Sequence, residues 1–416
     1  MRIAYHKYEL KDETYVNGAN LFYQDVSEIL KNEKNCHAHD FRDWLDNPPS
    51  NFDAVISNIG PYAYFYFYLR EKYSLKFNII RDVQTSFLSS YFLQEYLCCP
   101  RMRDGDKVLF LSEYCRQVYL KLFPDYLNEE NTYVCCPAAS FFPKPEPKLP
   151  RDKDVVILGY VGRVSRDKNF HQILKTFIEL SNTSEKTIKF LVIGRPDDEF
   201  LPEKVTSMLR TLQIPENNYL HLNDGKFLKH EYIWHFFSQM DVLLFPSVSS
   251  VEALGRVVLE ANHLKIPVIA ARYAASPELL SESNLLNVKF YNRTYSTSNL
   301  HSIGEVDEAE LKKKIINFKD LNPGSNIEYK NHDKKLINIL NSRQKPDSIK
   351  RLHPSIRNFI DGAEIDYNGF KTGDDIMRKA VELLMKYDYK NLASTGYLIC
   401  RDLGFNPKLK INVQMQ

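Results

Sequence analysis

Short unbroken apolar runs recur along this chain, each closed by a charged residue or a turn former and followed by a stretch with helical spacing. Ala54–Ser57 follows Asp53, and the run that starts at Val108 stands between Asp106 and Ser112. Runs without polar alternation suit parallel strands covered on both faces, and strands alternating with helices predict open α/β sheets. Over the first third, strands are predicted at Arg2–Tyr5, Ala54–Ser57, Asn78–Arg81 and Val108–Ser112, with helices at Gly18–Asn32, Ser90–Cys98 and Cys115–Phe123. A second series follows: strands Val155–Val161, Ile188–Ile193, Tyr219–Leu222, Val242–Phe245 and Val268–Ala270, interleaved with helices Phe170–Leu180, Val205–Leu212, Tyr232–Met240 and Val257–Leu264. Beyond residue 281 the pattern loosens, with helices near Val306–Phe318, Asp333–Ile339 and Asp375–Tyr387.

Between the two series, Pro137, Pro143, Pro145, Pro147 and Pro150 make a stiff extended connector. The expected organisation is a first Rossmann-like domain over 1–145, a second over 146–350, and a helical segment over 351–416 that packs back on the first. Ligands of open α/β sheets bind at the carboxyl ends of the strands, so a cleft between the domains is the expected site.

Composition narrows the classes. The 416 residues are enough for two or three domains, and 55 basic against 53 acidic residues leave +2, too little field to draw a polyanion. Nucleic acid is therefore not an expected partner. Seven cysteines lie in no CxxC spacing, which fits a reduced compartment, and MRIAYHKYEL opens without a long apolar core. Neither a secretory leader nor a membrane span is expected, and the cytoplasm is the expected location. Only 15 glycines are present, about half the ~7% of ordinary proteins, so each glycine at a strand end asks for a reason.

The first charged constellation is Gly162-Arg163-Val164-Ser165-Arg166-Asp167-Lys168-Asn169, cations hung over a strand end beside a helix start, a place for phosphate. A solvated loop is the plain alternative. The second is Glu252 and Glu260, eight residues apart around Leu254-Gly255. If the helix began near Glu252, the two α-carbons would lie about 12 Å apart along its axis, the span of a nucleoside-diphosphate sugar laid across a helix start. Ser249-Ser250-Val251-Glu252 also reads as a capping box, and Glu260 as an i,i+4 partner of Arg256.

Taken in order, strand-Gly162-Arg163-x4-Lys168, Val192-Ile193-Gly194, Asp241 to Pro246-Ser247, Glu252-x7-Glu260, Lys265-Ile266-Pro267-Val268 and Ser276-Pro277-Glu278-Leu279 resemble the carboxyl-terminal half of the family 4-like glycosyltransferases, also called glycosyl transferases group 1. The resemblance is specific over about 155–280 and looser over 1–145. It implies the GT-B fold and a retaining glycosyltransferase, hexosyl or otherwise, that takes a nucleoside-diphosphate sugar and serves glycan biosynthesis. The acceptor would be a glycan, a lipid-linked sugar or a small molecule, and neither cofactor nor metal is implied. Arg163 and Lys168 resemble the family's diphosphate-binding pair, Glu252 its donor-sugar contact and Glu260 its ribose contact. Gly162, Gly194, Leu254 and Gly255 fall where backbone approaches the donor, and the loops Gly194–Glu199 and Asn223–Phe227 near the base.

The first domain departs from the family. Val16-Asn17-Gly18 offers one glycine where two are usual, and Ile80-Arg81-Asp82-Val83-Gln84 offers no histidine where one is usual near the sugar. Asp82 or Gln84 could fill that place, with His6 and Asn58 as further acceptor-side candidates. The departures keep open a catalytically degenerate member that binds a nucleotide sugar as a partner or sensor. A hydrolase of the epimerase type would need acid and base groups that the pattern does not reveal. Asp104-Gly105-Asp106 is a DxD triplet of the metal-dependent transferases, but it precedes a strand and suits a turn. The run Tyr62–Tyr68 is nearly all aromatic, which suits core packing or peripheral contact with a membrane.

Overall fold

A computed structural model describes residues 1–7, 18–44, 48–59, 63–84, 95, 98–137, 142, 147–222, 230–291, 293–296, 302–324, 331–362 and 408–411. The helices expected at Ser90–Cys98 and Asp375–Tyr387, the loop Asn223–Phe227 and the turn at Gly60 lie wholly or mainly outside the described residues.

The first sheet contains β1 (Ile3–His6), β2 (Cys36–His39), β3 (Ala54–Ser57), β4 (Asn78–Val83), β5 (Lys107–Phe110) and β6 (Thr132–Val134), in the order β2-β1-β3-β4-β5-β6. Every neighbouring pair in it is parallel. Around it lie α1 (Gly18–Lys31), α2 (Tyr64–Lys72) and α3 (Glu113–Leu122). Helix α2 holds the aromatic run, and Tyr64, Phe65, Tyr66 and Phe67 are all buried against Phe41, Trp44 and Phe77. Their surroundings are core, which leaves those four rings no membrane to touch.

The second sheet contains β7 (Val155–Val161), β8 (Thr187–Ile193), β9 (Tyr219–Leu222), β10 (Val242–Phe245), β11 (Val268–Ala271) and β12 (Leu285–Leu286). Its order is β12-β11-β10-β7-β8-β9, again all parallel. Counted within the domain that is the 3-2-1-4-5-6 order of dinucleotide-binding sheets, whose crevice opens where the order reverses, here between β7 and β10. The helices are α4 (Phe170–Thr183), α5 (Pro202–Thr211), α6 (His230–Gln239), α7 (Arg256–His263), the single turn α8 (Ser276–Leu279) and α9 (Glu308–Ile316). In α4 the residues Phe170, Ile173, Leu174, Phe177 and Leu180 are spaced to form one face and are buried, which seats the helix on the sheet.

After α9 the chain returns to the first domain, and it does so earlier than residue 351. Helix α10 (His332–Leu340) buries Leu336, Ile339 and Leu340 in one cluster with Ile3, Tyr5, Ile80 and Leu109. Lys107 Nζ donates to Ile339 O at 2.6 Å, and Arg116 donates to Asp347 O at 2.7 Å. A further helix, α11, spans Pro354–Gly362. None of the described helices is long and apolar enough to cross a membrane.

The DxD triplet is structural. Asp106 is buried and binds Arg70 through both oxygens, at 2.7 and 2.8 Å, while also accepting from Ile79 N and Arg103 N. Four charge-assisted or backbone bonds leave this carboxylate nothing to offer a cation.

Candidate functional site

The crevice of the second sheet is shaped by backbone before side chains enter. Gly162 follows β7 with φ of +142°, and Gly194 follows β8 with φ of +149°. A Cβ on Gly194 would lie 1.7 Å from Gly162 O, so only glycine lets the two strand ends come this close. Tyr160 Oη donates to Arg163 O at 2.6 Å and turns the loop after β7 over the sheet edge.

Two ion pairs fill that edge. Arg163 donates to Asp167 Oδ2 at 2.6 Å, and Ser249 Oγ reaches the same oxygen at 2.5 Å. Burial alone would raise Asp167, but Arg163 and Lys168 outweigh it and hold the carboxyl at about 2. Lys168 Nζ lies 2.5 Å from Glu252 Oε2, which also accepts from Ser247 Oγ at 2.9 Å. Asn169, in the left-handed region, ties the start of α4 to the far strand through Pro246 O at 3.0 Å. Glu252, 84 residues on from Lys168, is thus brought to the loop that carries Arg163 and Lys168.

The loop after β10 departs from the expected geometry. Helix α7 begins at Arg256, because Gly255 sits at its N-cap with φ of +83° and breaks the helical path upstream. Glu252 therefore stands in the loop, and the 12 Å span along one helix does not apply. Its carboxylate goes to Lys168 and Ser247, while only its amide bonds Ser249 O, at 3.0 Å. The amides of Leu254 and Gly255 find no acceptor among the described residues. Glu260 is buried and engaged: Arg256 Nε donates to it at 2.9 Å, and Arg256 reaches across to Asp25 of α1 at 2.5 Å. The i,i+4 pairing is realised, and it extends into a bridge between the domains.

On the facing sheet the candidates separate. Ser57 pairs with Arg81, so Asn58 and Asp82 stand side by side on one face, with Gln84 two residues further along it. Asn58 is wholly buried, and among the described residues neither of its amide atoms has a partner, nor has Gln84 Oε1. Gln84 Nε2 donates to Asp82 Oδ2 at 2.8 Å. Burial raises the Asp82 carboxyl to about 6, against the lowering pull of Gln84 and Arg81. His6 belongs to the other face: its Nδ1 accepts from Phe41 N at 3.3 Å and its ring meets Phe41 edge-on. Gly18 starts α1 opposite α7, where an added Cβ would meet only Arg256 Cβ, at 3.8 Å. The carboxyl edges of the two sheets therefore face each other across a cleft that the Arg256–Asp25 bridge spans.

The stretch that carries the cation pair, the acidic loop and the start of α7 is also similar to known proteins. Residues 142–292 match the family described as glycosyl transferases group 1. A relative, the capsular polysaccharide biosynthesis glycosyltransferase CapM of Staphylococcus aureus, is 31% identical over 120 residues, which is 28% of this chain and 28% of CapM. HepE of Anabaena, solved in complex with UDP, aligns with a TM-score of 0.56 at 15% identity, over 82% of this chain and 100% of that one. The paired Rossmann-like domains are the GT-B architecture.

Within the glycosyl transferases group 1 segment, sequence reasoning missed Asp167, Ser247 and Ser249, which orient the cations and the acid. Outside it, Asp25 and Ser112 were missed as well. Asp167 had a legible signal, four residues after Arg163; Asp25 had none, since its partner is 231 residues away.

Proposed function

We propose that the protein transfers a sugar, with retention of anomeric configuration, from a nucleoside-diphosphate sugar to a glycan, lipid-linked or small-molecule acceptor. The observation that carries this reading is the Lys168–Glu252 pair set beside the unpartnered Leu254 and Gly255 amides in the crevice between β7 and β10. A diphosphate arriving there would meet two cations and a helix start, groups that gain most when charge grows on a leaving phosphate. Arg163 and Lys168 take the role that a metal ion has in other transferases. Once Lys168 turns to phosphate, Glu252 is freed to accept from sugar hydroxyls. Glu260 would reach ribose hydroxyls while still holding Arg256.

Asn58, Asp82 and Gln84 supply the facing wall: an amide whose two groups have no partner among the described residues and a carboxyl raised to about 6 suit hydroxyls, which both donate and accept. Retention follows if the acceptor attacks from the face the phosphate leaves. UDP is the first nucleotide to try, because HepE, of the same fold, was solved with UDP.

A thermal-shift panel of UDP-, GDP-, ADP-, CMP- and dTDP-sugars, with and without EDTA, tests the reading. A ligand at a hundred times its dissociation constant stabilises by ~2.7 kcal/mol. No shift with any nucleotide overturns the proposal, and a shift abolished by EDTA overturns its metal-free part. Slow donor hydrolysis that disappears in Lys168→Ala, with the fold retained, separates a transferase from a nucleotide-sugar sensor.

A further inference from the structure

The start of α3 is held from the opposite domain. Glu278, in the turn α8, places both carboxylate oxygens on its first amides, Oε2 accepting from Glu113 N at 2.9 Å and Oε1 from Tyr114 N at 2.7 Å. Those amides have no acceptor within the helix, and an anion there also meets the positive end of the helix dipole. Ser112 is the N-cap, accepting from Cys115 N at 3.2 Å. Its single proton goes across the cleft to Ala253 O at 3.0 Å. Cys115 Sγ approaches the same carbonyl at 3.6 Å, and the hydroxyls of Tyr114 and Tyr273 lie 3.4 Å apart.

Ala253 C=O belongs to the peptide unit whose N–H is that of Leu254. The unit is planar and trans, so its N–H points opposite to its C=O. Ser112 therefore fixes more than a carbonyl: it aims the Leu254 amide away from α3, and that amide has no partner among the described residues. The neighbouring residue is Glu252, already tied to Lys168, so a turn of this peptide plane would also disturb the carboxylate.

We infer that Ser112 and Glu278 are positioning residues, clamping the start of α3 onto the loop after β10 so that the Leu254 amide is aimed in advance at the donor phosphate. This rests on the donor reading above. The consequence is reciprocal: docking of the two domains tightens nucleotide binding, and nucleotide binding tightens the docking.

The test uses the full chain, with UDP as probe and calorimetry as readout, on Ser112→Ala, Ser112→Thr, Glu278→Gln and Glu278→Ala. Loss of one oriented bond to a charged ligand is worth about tenfold, so Ser112→Ala should bind UDP about that much more weakly while Ser112→Thr recovers most of the loss. Donor KM should rise more than kcat falls. Hydrogen exchange at the Glu113 and Tyr114 amides, measured without nucleotide, should speed up in Glu278→Ala and less in Glu278→Gln. UDP affinity unchanged in Ser112→Ala and Glu278→Ala, whatever their melting temperatures, overturns the inference. Absence of UDP binding by the unaltered chain, and of binding by the other nucleoside diphosphates, instead sinks the donor reading and the aiming role with it; exchange still decides whether the clamp exists.

Discussion

In the unliganded chain Lys168 and Glu252 satisfy each other at 2.5 Å, with 17% and 10% of their side chains exposed. Two unit charges about 4 Å apart attract by ~4 kcal/mol at an effective dielectric of 20 and by ~1 kcal/mol in water. Desolvation takes back much of this, and a partly exposed pair at a cleft nets about 1 to 2 kcal/mol. A diphosphate must draw Lys168 from Glu252 before it can use the ammonium. Glu252→Gln removes the competing charge while keeping the size and an oxygen for Ser247. Releasing about 1.4 kcal/mol to a ligand raises affinity about tenfold. Calorimetry with UDP should show that gain, whereas turnover of a UDP-sugar at saturation should fall about 10- to 100-fold, because the charged contact to the sugar is lost. UDP binding that weakens in Glu252→Gln would refute the competition and make the carboxylate a support that holds Lys168 ready.

Three further outcomes are expected. Burial holds the folded Asp82 carboxyl near 6, against ~3.9 in an unfolded chain, so the folded state binds its proton more tightly. The stability this carboxyl contributes is then full below about pH 4 and is lost, by about 3 kcal/mol, as pH rises through 4 to 6; Asp82→Asn should remove that component from the pH dependence of melting, and a pH dependence left unchanged would contradict it. Asp106→Asn leaves Arg70 buried without its charge partner, at 1% exposure for both side chains, and should cost about 3 kcal/mol in urea unfolding with donor turnover per folded molecule unchanged. Gly194→Ala should fail to give soluble folded protein, because of the 1.7 Å approach to Gly162 O, whereas Gly18→Ala should keep its melting temperature within a degree or two.

Much of the second domain was legible because its strands are apolar on both faces. Val155–Val161 and Val242–Phe245 are strands over the very residues that the apolar runs mark. Edge strands carry no such mark: Cys36–His39 has no fully buried residue, and Thr132–Val134 is too short for any pattern to register. Helix α2 was hidden because aromatic residues on every side of a helix carry no period, though here they are simply buried all round. The cations and Glu252 could be picked from spacing, while the start of α7 could not. Its limit is set by the left-handed backbone of Gly255 against the Phe245 ring, a packing fact with no local trace. The bridges from Asp25, Ser112 and Glu278 depend on partners more than a hundred residues off, where sequence spacing has nothing to say.

The return of α10 to the first sheet bears on how the chain is made. The second domain is contiguous, its six strands lying between Val155 and Leu286, and can close as soon as that stretch leaves the ribosome. The first domain has its last strand at Val134 yet lacks Leu336, Ile339 and Leu340 until α10 is synthesised. At ~5–20 residues per second, the roughly 200 intervening residues take about 10 to 40 seconds. For that interval the face of β1, β3 and β4 that α10 will cover stays open to water and to chaperones. The domain begun first is completed last, and a chain stopped before His332 would leave it with an uncovered core.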